Sequence, residues 1–309
     1  MRGVTIHEAG GPITVQDREV RAAGPGEIRL RVGAAAVNPI DTLMWRTFAP
    51  AGPQSSLTPG MDAAGTVESI GPDVDRLSAG DAVMAAINAR LPEGGGQAEL
   101  VVVPASSVVP IPDGLAPIAA SALPMNGLTA LEGLRLLDLP PGATLAVTGG
   151  AGQLASYAIP LAKRQGLVVI ADAKPEDEAL VAGFGADQVV SRGGGFAAEV
   201  RRLVPEGVDA VFDTALLTRA ALPAVRDGGG IAVVRGWDNG AGPERGVRVL
   251  PVRVTTALPN TDWLELISAE AAAGRLVPRI AGTYPPERAQ EAYERMDAGG
   301  LRGRLVITF

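Results

Sequence analysis

The run Leu145-Ala146-Val147-Thr148-Gly149-Gly150-Ala151-Gly152-Gln153-Leu154-Ala155 holds the residue types and spacing best suited to chemistry on an anionic ligand. A short apolar segment ends in glycines, and a helical pattern from Ala155 to Gln165 follows at once, so the run reads as strand, tight turn and helix. Gly150, Gly152 and Ala155 fit G-x-G-x-x-G/A. In that fingerprint one small residue makes the turn, the next lets backbone approach a pyrophosphate, and the third packs helix against strand. The N–H groups and partial positive charge of the helix N-terminus favour the phosphates. Gly166 to Asp172 reads as a second strand and completes a βαβ unit, which favours dinucleotide binding over close packing alone. Gly150, Gly152, Gln153 and Leu154 are the expected cofactor contacts in this turn.

Other chemistries are limited by composition. The chain of 309 residues has no cysteine, which excludes disulfides, thiolate nucleophiles and Cys-based zinc sites. His7 is the only histidine, and no G-x-S-x-G elbow exists to receive it, so a Ser-His-Asp triad is not supported. His7 reads as a surface or strand residue. A formal net charge of -7 disfavours nucleic acid as a partner. No stretch is long and apolar enough to span a bilayer, and the start Met1-Arg2-Gly3-Val4-Thr5-Ile6 lacks the apolar core of a signal peptide, so a cytoplasmic protein is expected.

The elements that must position the turn are legible as patterns. From Val4 to Val103 short β-type runs alternate with Gly and Pro turns, which indicates a small, mainly β domain. In it, Asn38-Pro39-Ile40-Asp41 opens a helical turn, with Asn38 and Asp41 placed for turn and cap chemistry. Proline enrichment at Pro110 to Pro117 marks a junction. Beyond it strands and helices alternate: a helix at Gly127 to Leu136, the glycine turn, a helix over Pro175 to Phe184 and a strand at Gln188 to Val190. There follow a helix at Phe196 to Leu203, a strand at Val208 to Phe212, a helix near Arg219 to Arg226 and a strand at Gly230 to Val234. That order predicts an α/β, doubly wound parallel sheet, with Val247 to Val254 as its sixth, edge strand. The final section holds helices at Asp262 to Ala273 and Pro286 to Ala298 and strands near Ile280 and at Gly303 to Thr308.

The ordered set of motifs resembles the medium-chain dehydrogenase/reductase superfamily, in particular its zinc-free quinone oxidoreductase branch. The motifs are Val37-Asn38-Pro39-Ile40-Asp41, Pro59-Gly60-Met61-Asp62-Ala63-Ala64-Gly65, Gly95-Gly96-Gln97-Ala98-Glu99, Asn126-Gly127-Leu128-Thr129-Ala130, the glycine turn, Gly185-Ala186-Asp187, Phe212-Asp213-Thr214 and Arg302-Gly303-Arg304. The resemblance implies a Rossmann domain at 118–254 inserted in a GroES-like, mainly β substrate domain built from 1–117 and 255–309. It implies no zinc, because Gly60-Met61-Asp62 stands where zinc-dependent members carry Gly-His-Glu and the four-cysteine lobe is missing. It also implies a homodimer paired through the Val247 to Val254 edge. The chain departs from the family at Gln153 and Ala155, where glycines are usual, and at Leu216-Leu217, where a Gly-Gly pair is usual. It departs again at Phe48 and Ala49, the neighbourhood in which some reductases keep a tyrosine.

The function implied is NADPH-dependent reduction of a quinone, enone or enoyl thioester by hydride transfer. Asn38, Asp41 and Thr129 are the expected catalytic group: Asn38 and Thr129 as donors toward a developing oxyanion, Asp41 as their orienting carboxylate. Thr129, Thr214 and Arg304 join the turn residues at the cofactor. Asp172 lies near the place of an acid that accepts from the ribose 2′-OH, which would favour NADH. The family alignment sets it one position early, however, and puts Lys174 and Arg192 where a 2′-phosphate is held, which favours NADPH. No side-chain acid titrating near neutrality is expected, with Asp41 and Asp62 ionised and Tyr157, Tyr284 and Tyr293 remote from Asn38. The alternatives are a non-catalytic nucleotide-binding protein, crystallin-like or accessory, and a non-redox biosynthetic cyclase on the same fold.

Overall fold

The computed structural model describes residues 1–49, 55–237 and 245–309. The chain forms two compact units, one of residues 1–125, 258–274 and 278–309, the other of 126–257 and 275–277.

The first unit is organised on the strand Glu27–Val37. Its first half alternates, with Ile28, Leu30 and Val32 buried and Arg31 exposed, and its second half, Ala34 to Val37, is buried on both faces. Small residues there let neighbours close in. The strand pairs antiparallel with Asp62–Ile70, Leu100–Pro104 and Arg304–Thr308, so segments from both ends of the chain share one sheet. That sheet runs Ile280–Tyr284, Arg304–Thr308, Glu27–Val37, Asp62–Ile70, Ala82–Ala86, Val108–Pro110. One core gathers Ile28, Leu30, Val67, Val83 and Val101, and a second gathers Val37, Trp45, Tyr293, Leu305 and Ile307. The helix Pro39–Thr47 begins with proline at its first position, where a missing N–H costs nothing.

The second unit is the expected parallel sheet, in the order Gln188–Ser191, Val168–Ala173, Thr144–Thr148, Val208–Asp213, Val225–Val233, Arg248–Pro251. All neighbouring pairs are parallel. The order reverses between Thr144–Thr148 and Val208–Asp213, which makes the carboxyl ends of these two strands the switch point where such sheets bind ligands. Two expected helices are shorter than their patterns. Arg219 to Arg226 is a 3-10 turn, Thr218–Ala224, because Pro223 supplies no N–H and the next strand already starts at Val225. Pro175 to Phe184 is a 3-10 turn, Pro175–Asp177, followed by the helix Glu178–Gly183.

Candidate active site

At the switch point the two strand ends carry loops that hydrogen-bond to each other. Gly149 turns the chain with φ +68°, in the left-handed region. Gly150 donates its N–H to both the Asp172 carbonyl (3.1 Å) and the Asp172 Oδ1 (3.0 Å). A Cβ at Gly150 would lie 2.5 Å from the Asp172 carbonyl oxygen, so glycine is required there by the neighbouring strand. At Gly152, chain neighbours aside, such a Cβ would meet one atom of the described residues within 4 Å, the Gly149 carbonyl oxygen at 3.0 Å. The backbone of Gly152 is thus open to an approaching group, the condition the fingerprint sets for a pyrophosphate. Gly152 donates to the Gly149 carbonyl (2.8 Å) and accepts from Ser156 N–H (3.0 Å), which leads into the helix Ala155–Arg164 with Leu154 as its N-cap. The Gln153 side chain is 4% exposed, and among the described residues neither its Nε2 nor its Oε1 has a hydrogen-bond partner.

The facing loop is held by Asp213, the last residue of its strand and wholly buried. Its Oδ1 accepts from Thr148 Oγ1 (2.7 Å) and Leu217 N–H (3.0 Å), and its Oδ2 accepts from Thr218 N–H (2.6 Å). Thr214 Oγ1 donates to the Thr148 carbonyl (2.5 Å) and Ala215 N–H to Thr148 Oγ1 (3.0 Å). The ring of bonds fixes two side-chain-bearing residues at positive φ, Leu216 at +62° and Thr218 at +50°. Such backbone costs on the order of 1–2 kcal/mol per residue. Leu216 thus holds a backbone conformation that glycine favours under a leucine side chain.

In the first unit buried polar side chains from segments far apart in the chain are brought together. Asp41 Oδ2 accepts from Asn38 N–H (2.7 Å) and its Oδ1 from Gly60 N–H (3.1 Å). Asp62 Oδ2 accepts from Asn38 Nδ2 (2.8 Å) and its Oδ1 from Met125 N–H (2.5 Å), at the start of the helix Pro124–Leu137 that carries Thr129. Tyr293 Oη donates to Gln97 Oε1 (2.9 Å). Both carboxylates are fully buried, and that burial raises each from 3.8 to about 7 against the backbone donors and the Arg304 charge, which pull down. Tyr293 is raised well above its ordinary value, by burial first and the Asp41 charge second, and stays a neutral donor.

Two family models match: the alcohol dehydrogenase GroES-like domain over residues 24–113 and the zinc-binding dehydrogenase over 184–307. Together they cover most of the chain. The chain belongs to the medium-chain dehydrogenase/reductase superfamily. Among relatives, the NADPH-dependent alkenal/one oxidoreductase of Arabidopsis thaliana chloroplasts is 28% identical over 290 residues, spanning 91% of this chain and 72% of that protein. An alcohol dehydrogenase superfamily protein from Novosphingobium aromaticivorans superposes with a TM-score of 0.88 at 28% identity, over 100% of this chain and 99% of that one. A mycobacterial quinone oxidoreductase does so with 0.82 at 25% identity, over all of both chains. This medium-chain dehydrogenase/reductase is an oxidoreductase of the nicotinamide-dinucleotide-dependent kind.

The residues present do not fit the zinc ion of the second family model's name. Cysteine is absent, His7 is exposed just beyond the strand Arg2–Ile6, and Met61 offers no strong ligand beside Asp62. Among the described residues no group of three or more His, Cys, Asp or Glu is arranged to hold a metal. A dinucleotide does fit, on the open Gly152 backbone and the partnerless Gln153 carboxamide.

The second unit brings together Gly150, Gly152, Gln153, Leu154, Asp172 and Thr214 of the expected site; the first brings together Asn38, Asp41 and Arg304. Thr129 lies in the helix Pro124–Leu137. Asp172 is 1% exposed and its carboxylate is committed to the Gly150 and Gly149 N–H groups; burial raises it above the usual carboxylate range. Lys174 is exposed past the end of the same strand and Arg192 past the end of its neighbour, Gln188–Ser191. Arg304, 8% exposed, lies in the interior where its charge acts on Asp41 and Asp62.

Three expectations are corrected. Acids titrating near neutrality do exist, Asp41 and Asp62, because burial outweighs their donors. Tyr293 is not remote from the Asn38 cluster: its electrostatic coupling to Asp41 and its bond to Gln97 put it there, and no local pattern in the helix Ala289–Asp297 signals this. In the sequence the loops Trp45 to Gln54, Asn88 to Leu91 and Trp237 to Gly242 read as the segments that shape the substrate pocket, and Trp45 departs from that expectation. It is instead a core residue, its indole donating to the Gly11 carbonyl (2.7 Å) and packed edge-on to Tyr293 at 6.0 Å. Residues 50–54 and 238–242 of those loops lie outside the described residues.

Proposed function

We propose that the protein reduces quinones or α,β-unsaturated carbonyl compounds with NADPH and without zinc. The observation that carries the cofactor choice is the inward commitment of Asp172. A carboxylate bound to the turn backbone is not free to accept from a ribose 2′-OH, and the strand end beyond it offers Ala173, Lys174 and, from the next strand, Arg192. Two exposed cations at that edge, Arg192 and Lys174, the latter 3.9 Å from the exposed Glu176, suit a 2′-phosphate. The relatives named for alkenal and quinone substrates support the substrate class.

Bound NADPH supplies a hydride from C4 of its dihydronicotinamide. The Gly152 backbone and the N-terminus of the helix Ala155–Arg164 would hold the pyrophosphate, with Thr214 alongside on the facing loop. Asn38 and Thr129 are assigned to the substrate oxygen that gains charge. Asp62 orients Asn38 by accepting a hydrogen bond from its Nδ2, and Asp41 fixes the Asn38 backbone and Gly60 by accepting from their N–H groups. Arg304 balances the two carboxylates from within. Because Asp41 and Asp62 are both 0% exposed, the proton that completes reduction comes from water.

Calorimetric titration with NADPH and NADH, followed by turnover on a panel of quinones, enones and enoyl thioesters with and without chelator, tests this reading. Tighter binding of NADPH and chelator-insensitive turnover of a member of the panel are expected. Tighter binding of NADH, or activity lost to chelator and restored by zinc, would count against it.

A further inference from the structure

Resting on the dinucleotide reading above, we infer that the Gln153 carboxamide hydrogen-bonds a ribosyl hydroxyl adjoining the cofactor pyrophosphate, and is a specificity-determining contact of this chain's own making. Gln153 lies in the turn between the open backbone of Gly152 and the N-cap Leu154, and its main chain is pinned by Ser156 Oγ donating to its carbonyl (2.8 Å). Its side chain is 4% exposed, with Nε2 and Oε1 both shielded from solvent and both without a partner among the described residues. A buried amide group left unpaired gives up its hydrogen bonds to water with nothing in return, so a chain that keeps two such atoms in one side chain needs a partner for them in its working state. The chemistry of the pair narrows that partner. Nε2 only donates and Oε1 only accepts. Pyrophosphate oxygens only accept and would leave Oε1 orphaned, whereas a hydroxyl accepts from Nε2 and donates to Oε1. The dinucleotide carries such hydroxyls on the ribose at either end of its pyrophosphate.

The test uses Gln153→Met, which keeps length and volume and removes both polar atoms, and reads the melting temperature of the ligand-free protein together with the dissociation constant for NADPH. The inference requires opposite signs: the ligand-free variant melts higher than the parent, and its affinity for NADPH falls by about tenfold or more. Two shorter probes separate the riboses. 2′-Phospho-ADP-ribose retains both, and adenosine 2′,5′-bisphosphate only that of the adenosine half. A loss for the first probe alone assigns the nicotinamide-side hydroxyl, and a loss for both assigns the adenosine side. Unchanged NADPH affinity in Gln153→Met, or a lower melting temperature of its ligand-free form, overturns the inference, because the carboxamide would then be filler or paired within the protein. If the parent binds neither NADPH nor NADH and Gly152→Val binds no differently, the dinucleotide reading itself falls, an outcome distinct from failure at Gln153 alone.

Discussion

Gly150 and Gly152 look equivalent in the fingerprint and are not equivalent in the protein. Gly150 answers to the adjacent strand, whose Asp172 carbonyl would meet a side chain at 2.5 Å, whereas Gly152 has only one carbonyl oxygen nearby, at 3.0 Å. Gly152→Val should therefore fold and lose NADPH affinity by on the order of a hundredfold, while Gly150→Val should fail in stability first. Equal NADPH affinity of Gly152→Val and the parent would remove the turn from the cofactor site. At the strand end, Lys174→Ala and Arg192→Ala should each weaken NADPH by roughly tenfold and leave NADH nearly untouched, measured by the same titration. His7→Ala should leave turnover unchanged, since His7 is exposed and touches neither polar cluster.

The elements were legible where pattern and packing agree. The βαβ order, the edge strand and the turn could be read because strands alternate strictly with helices and each breaks at Gly or Pro. The carboxylate cluster could be read only in part: Asn38 and Asp41 share one motif, but Asp62, Gln97, Tyr293 and Arg304 come from distant segments that only the folded sheet collects. Its consequence for stability has a definite sign. Folded Asp41 and Asp62 hold protons up to about pH 7, whereas unfolded aspartates release theirs near 3.8. The folded state thus binds more protons between those values, and the contribution of the pair is complete below the lower value and lost as pH rises toward 7. Thermal melting should rise from pH 7.5 to 5.5, and Asp41→Asn should flatten that slope; an unaltered slope would show that the pair is ionised throughout. The loop after Val208–Asp213 makes a second test at this scale. Leu216→Gly relieves a positive φ and should raise the melting temperature by roughly 2–4 °C, whereas Leu216→Val, branched at Cβ, should lower it. If the two variants melt alike, Asp213 does not hold the backbone there.

For the molecule as a whole, Arg248–Pro251 ends the parallel sheet, and among the described residues no strand pairs with its outer side. An edge so exposed invites a second copy, and light scattering at micromolar concentration should return the mass of a dimer; a monomer would refute that expectation. A different matter follows from the strand Arg304–Thr308, which pairs with Glu27–Val37 across almost the full span of the chain. During synthesis the first half of that sheet leaves the ribosome long before its partner exists, and the whole nucleotide-binding unit emerges in between. The strands between 27 and 110 can pair and bury their own core early, so what waits is the second core, on Leu305 and Ile307, and the cation that Arg304 brings to Asp41 and Asp62. Ribosome-bound chains halted before Arg304 should resist protease across 144–233 and be cleaved faster across 2–6 than the full chain, because Val4 and Ile6 pack in one core with Leu305 and Ile307.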